Sequence, residues 1–76
     1  MRTFNDIAAK IFSIKSEQIR DTFTAKDIPG WDSMNYLLFI AELEKEYNVS
    51  FTIDEVLNAV SLGSIRAMLV AKGAKI

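Results

Sequence analysis

One stretch of the sequence joins turn residues, a hydroxyl nucleophile and the start of a helix: Pro29-Gly30-Trp31-Asp32-Ser33-Met34. A serine in the first turn of a helix lies beside backbone N–H groups that have no partner within the helix, at the positive end of its dipole. A phosphate ester on Ser33 would be well placed there, since anions bind favourably at helix N-termini. Taken alone, Asp32 and Ser33 read as helix caps, the commonest use of these residue types. Residues the chain lacks narrow the chemistry further. It has no histidine and no cysteine, which removes Ser-His-Asp and Cys-His catalysis, disulfide frameworks and every zinc, haem or iron–sulfur site built on imidazole or thiolate. Only carboxylates could hold a metal, and no EF-hand spacing occurs.

The elements around this stretch are helical. Thr3 followed by Asp6 suits an N-cap, and Phe4, Ile7, Ala8 and Ile11 share a stripe, predicting a first helix over 3–13. Ile14 and Ile19 continue its apolar contacts across a short turn, Ser16-Glu17-Gln18. From Arg20 to Trp31 the periodicity fails, and Pro29-Gly30 marks a break. Phe23, Ile28 and Trp31 can anchor this long loop to the core, while Asp21 and Asp27 read as solvated loop carboxylates. A loop of this length in a small domain often serves a function. The second helix starts at Asp32 or Ser33 and ends near Tyr47-Asn48. Its core face carries Tyr36, Phe39, Ile40, Leu43 and Tyr47. The opposite face carries Met34, Leu37, Leu38, Ala41 and Lys45, with Glu44 at its border, where a polar back was to be expected. Thr52 and Glu55 form a capping box for a short third helix through Asp54, Val56, Leu57 and Val60. Ser61 caps a fourth, with Leu62, Ile65 and Leu69 at helical spacing and Gly73 as its stop. Phe12 and Met68 fall at core positions. The expectation is an all-α, small four-helix bundle, three longer helices and one short, with a long loop between helices 1 and 2.

With 76 residues, the chain has room for one domain, residues 1–76. Half its residues are apolar and 25% are charged, the balance of a foldable soluble chain. Nine basic against ten acidic residues give a net charge of −1, without the basic excess of a nucleic-acid binder. No apolar N-terminal segment resembles a signal peptide. The longest apolar run, Met34 to Ala41, is broken by Asn35 and is far shorter than the roughly 18 residues of a membrane span. A cytoplasmic monomer that binds neither nucleic acid nor membrane is the expectation. The initiating methionine and short length suggest a free-standing protein, although a module of a larger one would look similar.

Several features in order resemble the acyl carrier protein family: Gly30-Trp31-Asp32-Ser33-Met34, the long amphipathic helix ending Glu42-Leu43-Glu44-Lys45-Glu46-Tyr47, Phe51 with Thr52-Ile53-Asp54-Glu55, and Ser61-Leu62-Gly63-Ser64-Ile65. The resemblance spans nearly the whole chain, long first loop included. It implies a carrier rather than a catalyst, with Ser33, of the motif Asp32-Ser33-Met34, receiving 4′-phosphopantetheine from coenzyme A through a phosphopantetheinyl transferase. The arm's thiol holds acyl groups as thioesters, so a chain without cysteine can still carry thiol chemistry. Lacking histidine, the chain cannot activate Ser33 itself, and the transferase must supply general-base catalysis. Acyl-loading, condensing or modifying enzymes are the further partners implied.

Two features depart from that family. The third motif residue is Met34, where its pattern has leucine. Members serving fatty acid synthesis usually present an acidic second helix to basic patches, whereas here the first turns carry Asn35, Leu37 and Leu38, and Lys45 interrupts Glu42, Glu44 and Glu46. This favours a specialised polyketide, nonribosomal peptide or modified fatty-acyl pathway. It also makes Met34, Asn35, Leu37, Leu38, Ala41, Glu44 and Lys45 the expected partner-binding set, although Leu38 could instead pack under the first loop. The alternative reading is an unmodified interaction module using the Met34/Leu37/Leu38/Ala41 face. A hydrolase using Ser33 is weaker, for want of a histidine, a nucleophile elbow and enough chain for a substrate pocket.

Overall fold

The computed structural model describes residues 2–75. It is all-helical among those residues, with α1 Phe4–Phe12, α2 Ser33–Tyr47, α3 Ile53–Asn58 and α4 Leu62–Ala71, and a 3-10 turn over Ser16–Gln18. The expected bundle of three longer helices and one short one is what forms.

Local chemistry sets each boundary. Thr3 and Thr52 each accept from the amide three residues on, while Asp6 and Glu55 reach back to the cap amides, so α1 and α3 both open on full capping boxes. Asp32 accepts from the Asn35 amide and Ser61 from the Ser64 amide, capping α2 and α4. The three longer helices stop in one way. The amides of Ile14, Val49 and Ala74 reach back five residues to the carbonyls of Ala9, Glu44 and Leu69, across Ser13, Asn48 and Gly73, whose φ angles are positive. This is the Schellman arrangement, in which the residue after the left-handed one folds back onto the helix. Ile14, Val49 and Ala74 accordingly pack against the core.

The core joins Phe4, Ile7, Ala8 and Phe12 of α1, Phe39, Ile40 and Leu43 of α2, and Leu62, Ile65 and Leu69 of α4, with Ile19 and Ile28 from the first loop. Phe39 is central, edge-on to Phe4 with centroids 5.4 Å apart and tilted against Phe12 at 5.1 Å. α3 places no fully buried residue in this core. Val56 and Ala59 lean on it, the Tyr36 hydroxyl donates to the Val56 carbonyl at 2.6 Å, and Lys72 pairs with Glu55 at 2.8 Å.

The first loop is a string of turns. Amides of Gln18, Phe23, Asp27 and Trp31 each donate to the carbonyl three residues earlier. Contacts with α4 pin it, since the Leu62 and Gly63 amides donate to the carbonyls of Phe23 and Asp21. Asp21 and Asp27, expected as solvated carboxylates, are exposed but engaged. Asp21 accepts from Arg66 Nε at 3.0 Å, and Asp27 accepts from the amide and hydroxyl of Thr24. Sequence periodicity carries no trace of these polar ties, because their partners are distant or local to one turn.

Candidate functional site at the start of the second helix

Where the loop meets α2, close approach is built in. A Cβ on Gly30 would lie 2.7 Å from the Phe12 carbonyl oxygen, so only glycine lets the chain pass this near the end of α1. The Asn35 side-chain amide donates to the Gly30 carbonyl at 2.8 Å, tying the loop to the first turn of α2. Trp31 stacks on Phe12 at 5.3 Å and on Tyr36 at 5.5 Å, so it anchors the loop on the bundle as its position suggests. Tyr36 is partly buried, which pushes its hydroxyl pKa upward.

Ser33 is the first helical residue, and its side chain is exposed. Asp32 is the cap, its Oδ1 accepting from the Asn35 amide at 2.8 Å. Among the described residues the amides of Ser33 and Met34 have no protein acceptor. A shallow hollow of about 370 Å³ lies beside the hydroxyl, lined by Ala25, Trp31, Asp32, Ser33 and Tyr36. An exposed hydroxyl, two free amides at a helix N-terminus and open space suit a bulky phosphodiester on this serine. No cluster of metal ligands occurs among the described residues.

The remaining expected residues divide. Met34, Leu37 and Leu38 are 73%, 58% and 48% exposed, and Ala41 and Lys45 are exposed as well. Leu38 is thus not packed away under the loop. Asn35 and Glu44 are only partly exposed and hold internal bonds, Asn35 to Gly30 and Glu44 to the Phe51 amide at 2.8 Å. Glu42 and Glu46 are committed too. Arg2 donates to Glu42 Oε2 at 2.9 Å and to Glu46 Oε1 at 3.0 Å. The hydrogen bond from Arg2 holds the Glu42 carboxyl below the usual carboxylate range. All three glutamates of the acidic run are therefore occupied within the molecule. Arg2 is not legible as their partner in the sequence, since nothing local links residues forty positions apart. Ile53, Leu57 and Val60 are also exposed and extend the apolar surface onto α3 and its C-terminal end, which helical spacing alone does not reveal.

A small all-α bundle presenting a serine at a helix start beside a long, pinned loop defines a carrier domain. The family described as phosphopantetheine attachment site matches residues 6–69, and the chain belongs to that family, whose members hold a covalently attached 4′-phosphopantetheine. Among solved structures, it is similar to an acyl carrier protein from Mycobacterium tuberculosis, at 20% identity over 90% of each chain with a TM-score of 0.80. At that identity the likeness concerns the fold. A comparison with curated proteins finds no match. None of the helices among the described residues is long and apolar enough to cross a membrane.

Proposed function

We propose that Ser33 carries the 4′-phosphopantetheine arm and that the protein delivers acyl groups to partner enzymes of a specialised polyketide, nonribosomal peptide or modified fatty-acyl pathway. The observation that carries this reading is the exposed Ser33 hydroxyl in the first turn of α2, with unpartnered amides at Ser33 and Met34 and open space alongside. In the transfer from coenzyme A, Ser33 Oγ would gain a bond to the pantetheine-bearing phosphorus as the P–O bond of the diphosphate breaks, its proton passing to a base on the transferase and the nucleotide bisphosphate leaving. Once bound, the arm supplies a thiol that holds acyl groups as thioesters. The amides of Ser33 and Met34 would be available to its phosphodiester, and Asp32, acting as cap, keeps the first turn in place. The protein acts as a covalent shuttle, and chemistry on the acyl group belongs to its partners.

Docking of the transferase and of acyl-loading, condensing or modifying enzymes falls to Met34, Leu37, Leu38, Ala41 and Lys45, with Asn35 and Glu44 shaping the border of that face. Occupation of Glu42, Glu44 and Glu46 by Arg2 and the Phe51 amide supports apolar rather than acidic docking. A single domain acting as a cytoplasmic monomer fits this role. Incubation with coenzyme A and a broad-specificity phosphopantetheinyl transferase, followed by intact mass, tests the proposal. One phosphopantetheine added per chain is the expected result. No addition would leave the unmodified interaction module in its place.

A further inference from the structure

Met34, Leu38, Glu42 and Glu46 recur at every fourth residue of α2 and so form a single ridge along the helix. The ridge begins beside Ser33 with two exposed apolar side chains. It ends in two carboxylates, the groups that a basic docking surface would bind. One cation from outside the helix takes both. Arg2 donates from Nη2 to Glu42 Oε2 at 2.9 Å and from Nε to Glu46 Oε1 at 3.0 Å, a grip suited to the forked guanidinium. The backbone holds Arg2 ready for it. The Tyr47 hydroxyl donates to the Arg2 carbonyl at 3.4 Å, and Thr3, next in the chain, caps α1. The Glu46 side chain is only 18% exposed, so salt screens its pair less than one in open solvent. Lys45 and Lys10 add attraction at Glu42. The two carboxylates thus stand among three cations.

We infer that Arg2 is a specificity-determining residue: by occupying Glu42 and Glu46 it closes the carboxylate end of the α2 ridge to enzymes with basic docking surfaces. The ridge is left to enzymes that meet it through apolar side chains. The inference rests on the reading of α2 as the docking helix beside a modified Ser33. An enzyme that brings lysine or arginine to this ridge must displace a guanidinium already in place, or set its own charge against Arg2, Lys45 and Lys10. Like charges brought together in this way disfavour the wrong partner. An enzyme that brings apolar side chains covers Met34 and Leu38 and leaves Arg2 undisturbed. Discrimination then comes from a repulsive element, held at the far end of the ridge from the attachment serine.

The experiment follows addition of 4′-phosphopantetheine by a transferase whose docking surface is basic, as initial rates over a range of carrier concentrations at low and physiological salt. It compares the parent, Arg2→Gln and Arg2→Lys, with Glu42→Gln/Glu46→Gln made in the parent and in Arg2→Gln. Circular dichroism verifies the fold of each variant. Arg2→Gln should raise kcat/KM at low salt by up to about fivefold, the worth of an exposed ion pair. The gain should lie in KM, with kcat unchanged, and should fade at physiological salt. Arg2→Lys keeps the charge but not the fork and should fall between the two. Glu42→Gln/Glu46→Gln should cost the Arg2→Gln chain more than it costs the parent, because only uncovered carboxylates meet the enzyme directly. No gain in Arg2→Gln, a gain indifferent to salt, or equal costs of the paired glutamate change in both chains would overturn the inference. Failure of the parent to take the arm on Ser33, read by mass, counts against the attachment reading instead.

Discussion

Two leucines of α2 make a matched pair for testing how this helix faces the bundle. Leu43 is fully buried, at 0% exposure, and Leu37 is 58% exposed. They lie roughly 120° apart around the helix. Replacing either by alanine removes the same atoms from the same helix, and alanine's propensity is at least as good, so the difference isolates burial. Leu43→Ala empties a site enclosed by the core and should cost about 2–5 kcal/mol. For a chain of this length, total stability is on the order of 4–11 kcal/mol, so the loss is a large share of it. At roughly 4–8 °C per kcal/mol for so small a domain, the melting temperature should fall by about 8 °C or more. Leu37→Ala should stay within about 0.5 kcal/mol of the parent. Urea and thermal denaturation followed by circular dichroism read both numbers. Equal costs for the two variants, or a neutral Leu43→Ala, would refute the assignment of faces.

Three further outcomes follow from other contacts. Leu38→Glu should leave folding nearly unchanged yet weaken binding to a cognate enzyme, with only a modest salt dependence in the parent, since a buried apolar side chain contributes about 1.5–3 kcal/mol and an exposed ion pair under about 1 kcal/mol; titrations at two ionic strengths check it, and a collapse with salt would point to carboxylate docking. Glu42, held low by Arg2, and Glu55, held low by Lys72 and the Thr52 amide, have folded pKa values below their unfolded ones, so their stabilisation is present above the ordinary glutamate value of about 4.3 and is lost as pH falls through the folded values. The urea midpoint should drop on acidification and drop less steeply in Glu42→Gln; superimposable profiles would show that Arg2 does not stabilise the carboxylate. Gly30→Ala should lose about 1–3 kcal/mol through overpacking against the Phe12 carbonyl, and an unchanged denaturation midpoint would show that the loop can give way there.

Much of this was legible in the sequence where the signal is local. Thr3-Asp6, Thr52-Glu55 and Ser61 announce their helices because a cap is chemistry between neighbours, and the Tyr36–Phe39–Ile40–Leu43–Tyr47 stripe gives the buried face because helical periodicity is fixed. Exposure of Met34, Leu37 and Leu38 could be read from the same wheel. What the sequence does not carry is structure that depends on residues far apart in the chain. Arg2 claims Glu42 and Glu46 from the other end of the domain, Phe51 turns back to Glu44, and Arg66 crosses to Asp21. Asn35, expected in the partner-binding set, also ties down Gly30, because the loop's path past Phe12 brings that carbonyl within reach.

Ser33 is the residue on which the proposed carrier function depends. The most direct measurement is fragment mass analysis after transferase treatment of the parent chain and of Ser33→Ala. The parent should carry the arm on the peptide containing Asp32-Ser33-Met34, with the site resolved to Ser33. Ser33→Ala should remain folded, at a cost of about 1 kcal/mol or less because Asp32 is the cap, and should carry no arm. An arm on Ser61 or Ser64, or a Ser33→Ala chain that is still modified, would contradict the account.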